Sequence, residues 1–253
     1  MSPSMSSTTS TTSEPTFQPS SSKAPNAVQR LKDRARYDEQ TVYDILDTGL
    51  VAHVSFSTHR DDDDHIDDDE WPTVIPMAYT RIEHEIFLHG HLASRLLKAL
   101  SEEGAKACIT VTHVDGLVLA LTPFHNSMNY RSVIVFGHAR LIPDSEHERK
   151  IDALTAITNH PFRATSGDRW TDARPPSEAD VKSTRVVSVP IEMASAKVRA
   201  GGPKDEKKDV ENEDVIGRYW TGVIKSKQGW EAIQPGPYNR VAEPPQYVAN
   251  LLK

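Results

Sequence analysis

The chain has 253 residues, 37% hydrophobic and 26% charged, with a formal net charge of -7 at pH 7, so it can bury a real core as one large domain or two small ones. The acidic balance argues against a broad nucleic-acid-binding surface, which needs a basic stripe. The single cysteine, Cys108, excludes an intrachain disulfide and a cysteine-based zinc cluster, and it fits a reducing compartment.

Residues 1–27 are dominated by Ser, Thr and Pro. They carry too little apolar surface to offset the entropy of ordering and read as a disordered tail. No apolar run approaches the roughly 20 residues of a membrane span, and residues 1–27 lack the apolar core of a secretory signal; the expectation is a cytoplasmic protein with no membrane partner. After a basic arm (Arg30, Lys32, Arg34, Arg36), residues 38–46 predict a short helix with Val42, Ile45 and Leu46 inward. Residues 50–57 predict the first strand. An insertion at 60–70 holds eight acidic residues around His65 and Ile66; such a block repels itself and reads as solvated. It lacks the glycine and terminal glutamate spacing of a calcium loop.

Residues 71–79 and 82–89 predict two more strands. Gly90 is expected to break the extended chain, and a helix to begin near residues 91–93. Ala93, Leu96, Leu97 and Leu100 follow the i, i+3, i+4, i+7 spacing of a buried stripe, and Ser94, Arg95 and Lys98 fall on another face. That face reads in two ways: a phosphate seat near a helix N-terminus, or the charged face of an ordinary surface helix.

Residues 106–113 alternate as a strand. Asp115–Gly116 predicts a hairpin turn, residues 116–122 the return strand, and residues 123–129 a polar crossing loop. Residues 130–142 predict a long strand with a bulge or bend at Gly137. A helix capped by Asp144 is expected to reach His160, and another to span 177–183. A strand over 184–193 is interrupted by Pro190, 203–214 reads as charged and flexible, 219–224 as a last strand, and the Pro-rich tail at 235–253 as loosely held. Six to seven antiparallel strands with few helices point to a mainly β (α+β) barrel with peripheral helices. The glycines form neither G-x-G-x-x-G nor G-x-x-x-x-G-K-[ST], so no Rossmann site or P-loop is supported.

Several stretches together resemble one family. They are Gly49–Ser57 (GLVAHVSFS), Val74–Tyr79 (VIPMAY), Leu88–Arg95 (LHGHLASR), Asp115–Ala120 (DGLVLA), Phe124–Ser132 (FHNSMNYRS), Phe136–Ala139 (FGHA), Ser195–Arg199 (SAKVR) and Tyr219–Gly222 (YWTG). They are similar to the flavin-nucleotide-binding, nitroimidazole-resistance-like branch of the pyridoxamine 5'-phosphate oxidase-like split barrels. The resemblance implies a split β-barrel domain over 28–234. It also implies a homodimer with FMN at the subunit interface and a redox reaction on a small organic substrate, with no catalytic triad needed because the flavin carries the chemistry. By the same resemblance Pro76, Met77 and Tyr79 line the flavin edge, largely through backbone groups, and Ser94, Arg95 and Lys98 hold its phosphate. Asn129, Arg131, Ser132 and Trp220 close the site from the partner chain. The Arg-x-His segment that seats substrate phosphate in true pyridoxamine 5'-phosphate oxidases is missing, since Tyr238-Asn-Arg240 has no following histidine.

Two histidines are catalytic candidates. His125 is either a proton donor beside the flavin or a pin for the crossing loop. His89 is either a group at the flavin edge, an axial ligand as in haem-binding relatives of the superfamily, or a structural residue bonded to backbone. His89 and His91 would share a face if the strand continued through Gly90, but no third ligand accompanies them and no metal site is expected. A haem-binding or haem-degrading protein on the same fold, and a flavin-binding module without turnover, are the rival functions.

Overall fold

The computed structural model of the chain describes residues 16–56, 71–227 and 229–252; the acidic insertion at 60–70 lies outside them. Its strands are β1 (Ala35–Arg36), β2 (Ala52–Phe56), β3 (Thr73–Met77), β4 (Tyr79–Ile82), β5 (Glu85–His91), β6 (Lys106–Leu119), β7 (Ser127–His138), β8 (Arg140–Leu141), β9 (Thr184–Pro190), β10 (Met193–Arg199) and β11 (Gly222–Lys225). They form two antiparallel sheets: seven strands in the order β1-β10-β7-β6-β2-β3 with β11 added beside β6, and four in the order β4-β5-β9-β8. The mainly β barrel expected from the strand pattern is what the chain builds. The chain passes from the larger sheet to the smaller at Ala78, between β3 and β4.

Helix α1 (Glu39–Thr48) starts where Asp38 accepts the Thr41 N–H at 2.8 Å, a carboxylate cap worth about 1 kcal/mol. Its buried residues are Val42, Ile45 and Leu46, the predicted inward set. They join Val54, Ile86, Leu88, Leu96, Leu97 and Ile109 in the main core. Helix α3 (His147–Asn159) closes a second cluster, in which Ala153, Leu154 and Ile157 meet Phe87, Ile142 and Val186. Between them, helix α2 spans Arg95–Ala99, and α4 spans Glu178–Lys182 behind a Ser177–Asp180 capping box.

Several boundaries differ from the sequence reading, each for a physical reason. Gly90 does not break the strand; β5 runs through it to His91, paired with β9 along its whole length. The following helix therefore has five residues, and Ala93 lies outside its buried stripe while Leu96, Leu97 and Leu100 keep theirs. Asp115–Gly116 makes no turn. β6 continues past it with a register shift between Val114 and Gly116, and glycine is needed there because a Cβ would sit 2.6 Å from the Ile224 carbonyl of β11. The turn falls instead at Pro123–His125, where the Asn126 side chain accepts the Ala120 N–H at 2.8 Å. Gly137 serves close approach too: a Cβ would lie 2.0 Å from the Pro190 carbonyl. Asp144 does not cap α3, since its carboxylate holds the buried Lys150 ammonium at 2.7 Å. β9 stops at Pro190, and Met193–Arg199 returns as a strand of its own.

Of the tail read as disordered, residues 1–15 lie outside the described residues, and 16–27 fold onto the barrel. Phe17 packs against the core and Asn26 donates to the Phe17 and Ala194 carbonyls at 2.8 and 3.0 Å. The stretch 203–214, expected to be flexible, forms Lys207–Val210 and opens Glu213–Arg218, the second capped by Asn212. Near the C-terminus Gln246–Ala249 is helical, and Tyr247 donates to the Asp172 carboxylate at 2.9 Å.

Candidate functional site

The predicted site residues fall in three places. The first is a strip where β3 meets the turn into α2. Pro76 is exposed and Met77 half-buried against the core. The Arg95 guanidinium donates to Thr73 Oγ1 at 2.7 Å and lies 6.0 Å over the Phe56 ring, which ties the turn to the start of β3. Ser94 caps α2 by accepting the Leu97 N–H at 3.5 Å, leaving its hydroxyl proton to donate. Lys98 is exposed one turn on. A five-residue helix adds little dipole, so any phosphate held here is held by the hydroxyl and two cations. Tyr79 departs from the strip. It lies in β4, paired with Leu88, and its buried hydroxyl donates to the Leu46 carbonyl. Burial, the largest cause, pushes its pKa well above the phenol range.

The second place is the far end of the barrel, around β7. Alternation along a strand sends Asn129 and Arg131 to one face and Ser132 to the other. Asn129 is buried, donating to the Gly201 carbonyl at 3.1 Å and accepting from Arg199. Arg131 grips Asp115 in a two-pronged pair at 2.9 and 3.0 Å, and that bond holds the Asp115 carboxyl below its usual range. Ser132 Oγ is 3.4 Å from the Lys197 carbonyl. Trp220 is 67% exposed, its indole lying where a Cβ on Gly222 would be. His125 faces Glu206 at 3.3 Å, a pairing that pins the loop. These residues do not converge within one chain.

The third place is His89. It lines a cavity of about 480 Å³ with Leu154, Trp170, Val181, Arg169 and Arg174. Its Nδ1 is buried and has no hydrogen-bond partner, an arrangement that costs roughly 1–3 kcal/mol unless something else binds there. Burial lowers the imidazole pKa and so keeps the ring neutral. The Trp170 backbone is set by the Asn159 side chain, whose Oδ1 accepts the Trp170 main-chain N–H at 3.0 Å. Arg169 donates to the Asp172 carbonyl at 2.8 Å and Arg174 to the Pro175 carbonyl at 2.8 Å, which leaves each guanidinium further donors. Nothing in the sequence pattern marked residues 169–184 as walls of a site. Their only signal is an aromatic and two arginines in an irregular stretch. Among the described residues no group of three His, Cys, Asp or Glu side chains is placed to hold a metal ion, and no helix is long and apolar enough to cross a membrane.

Comparison with known proteins places the chain. The profile of a family described as pyridoxamine 5'-phosphate oxidase matches residues 38–198. The structure of a flavocytochrome from Azotobacter vinelandii is similar over 89% of this chain and 95% of that one, with 31% identity and a TM-score of 0.73. That of an FAD- and haem-binding protein from Mycobacterium smegmatis is similar over 87% and 97%, with 26% identity and a TM-score of 0.70. A 5-nitroimidazole resistance protein described from Bacteroides thetaiotaomicron is less similar, at 22% identity and a TM-score of 0.48 over 65% of this chain and 86% of that one. No curated protein matches the sequence.

Proposed function

The chain belongs to the pyridoxamine 5'-phosphate oxidase family, and from that premise we propose that it is a cytoplasmic, homodimeric oxidoreductase that binds a flavin nucleotide and haem. The observation that carries the reading is His89: a neutral imidazole with an unpaired buried nitrogen, lining a cavity of about 480 Å³ whose walls are Leu154, Trp170, Ala173, Pro176 and Val181, with Arg169 and Arg174 at its edge and Asp180 3.9 Å from Arg174. A histidine that ligates haem must present an unprotonated ring nitrogen. The macrocycle needs apolar walls, and its carboxylates need cations, for which guanidinium is well shaped. The residues present fit the group. Support comes also from the flavocytochrome and the FAD- and haem-binding protein, each similar over most of both chains.

The strip fits the ring and first phosphate that FMN and FAD share. Ser94, Arg95 and Lys98 would hold the phosphate, and the β3 backbone at Pro76 and Met77 would lie along the ring edge. Pro76 has no N–H and can lend only its carbonyl and its shape. The outer face of the larger sheet supports the dimer: Met128, Val114, Leu117 and Ile224 stand 39–50% exposed along neighbouring strands β7, β6 and β11, an apolar surface of the kind interfaces cover. A second chain there would bring its own Ser132 and Trp220 toward the flavin. Bound flavin supplies hydride and electron transfer, and bound haem one-electron chemistry; the protein's part is to seat, orient and shield both.

The test is a spectrum of the pure protein before and after adding FMN, FAD and haem, in wild type, His89→Ala and Arg95→Ala. Haem should give a Soret band that His89→Ala loses, and one flavin should stay bound through gel filtration, less so in Arg95→Ala. A protein that retains neither flavin and shows no Soret band would overturn the reading. A haem band untouched by His89→Ala would overturn the ligand assignment.

A further inference from the structure

A larger cavity, about 810 Å³, belongs to neither seat. It lies where the end of α1 meets β2 and β6, beneath the chain beyond β11. Leu50, Val51, Val111, Pro161 and Leu251 give it apolar walls, and Trp230 and Lys227 line it from the C-terminal segment. Three of its polar side chains are already engaged, while His53 and Thr112 also line it. Thr48 donates to the Asp44 carbonyl at 2.6 Å and Thr165 to the Phe162 carbonyl at 3.0 Å. His113 presents Nε2 to the Ile45 carbonyl at 3.3 Å and to Thr48 Oγ1 at 3.2 Å, so that nitrogen carries the proton. Lys227 is the one lining residue with a permanent charge among those described. A space of this size, with apolar walls, an indole to stack on and a single cation, suits a flat ring compound better than a sugar or a polyanion. It is also beside the flavin strip, because its lining residue His53 pairs in register with Pro76 of β3.

We propose that this cavity takes the protein's small-molecule substrate, a flat and mostly apolar ring compound with at most one anionic substituent, with Lys227 and Trp230 among the residues that receive it. The use of the ligand rests on the flavin reading above; its binding does not. The test is calorimetric titration of the full-length protein with menadione, a two-ring probe, alongside the flavin and haem spectra. Ala164 lines the cavity yet is exposed, so Ala164→Trp can fill the space without disturbing the core. It should weaken menadione binding by about tenfold or more, with flavin and haem spectra unchanged. Trp230→Ala should weaken it by about three- to tenfold. Wild type that fails to bind menadione, or both variants binding it as wild type does, would overturn the proposal. Menadione binding lost in the variants of a protein that holds no flavin would sustain the cavity and sink the flavin reading alone.

Discussion

The two proposed cofactor seats lie on either side of one short stretch, His89 to Lys98, and they are built in opposite ways. The flavin strip is open and local. Ser94, Arg95 and Lys98 are consecutive-turn neighbours, and Arg95 alone reaches beyond the turn, to Thr73 and the Phe56 ring. The His89 cavity is assembled from afar: its walls come from α3, the stretch after it and α4, which arrive because α3 packs its Ala153, Leu154 and Ile157 on β5 and β9. A local seat of charges should be sensitive to side-chain identity and to salt. A seat assembled from distant elements should be sensitive to a single ligand and to the packing that brings its walls together.

The largest effect separates them outright. His89→Ala should abolish the Soret band while flavin retention stays at the wild-type level, measured on one sample by absorbance. Equal loss of both chromophores would mean that the seats are one site, or that the substitution unfolds the chain. The next effect joins them. Leu97 is fully buried in the main core, and its Cδ1 lies 3.3 Å from where a Cβ on Gly90 would be, so it packs directly beneath the strand between His89 and the α2 turn. Leu97→Ala should cost about 2–5 kcal/mol in urea unfolding and weaken both seats together. A loss below about 1 kcal/mol would show that α2 is not anchored as described.

A smaller effect tests the open seat alone. Arg95→Ala should weaken flavin binding by about 10- to 100-fold, the range for losing a charge-assisted bond to phosphate, and raised salt should shrink the difference. Lys98→Ala, which removes an exposed point charge, should cost less than Arg95→Ala in the same titration. Haem binding should be unchanged in both. A Lys98 effect larger than that of Arg95 would place the phosphate on the other side of the turn.

The contrast also explains what could be read in the sequence. Local patterning was legible: the α1 stripe of Val42, Ile45 and Leu46 follows from residue types at fixed spacing. Residues whose meaning depends on a distant partner were not. Gly90, Gly116 and Gly137 look like breaks or turns, yet the latter two are glycine because Ile224 and Pro190 carbonyls crowd them from other strands. Tyr79 looked like a site residue beside Met77, and a switch of sheets at Ala78 makes it core. Arg169, Trp170 and Arg174 carry no periodic signal, since they become walls only when α3 and α4 dock. His89 stands between three meanings; its unpartnered Nδ1 speaks against the structural one, and the haem spectrum of His89→Ala separates the other two.

The smallest effect is the response to pH, and its sign follows from burial. His89 and His160 both have pKa values lowered from the usual 6.5, chiefly by desolvation, so below that value the unfolded chain binds more protons than the folded one. Stability is then complete above about pH 6.5 and falls as pH drops through the folded values. Carboxylates stay ionised between pH 6.5 and 5, which isolates the histidines in that window. Haem affinity should be flat from pH 8 to about 6.5, because the ring nitrogen is already bare, and should weaken only at lower pH as protons compete for it. His160 supplies the control. Its Nε2 donates to the Gly49 carbonyl at 2.6 Å, and it is not among the haem cavity's lining residues, so His160→Gln should reduce the acid slope of stability and leave the haem titration in place. Haem affinity that rises on acidification, or that shifts with His160→Gln, would show that the imidazole at His89 is not the group being protonated.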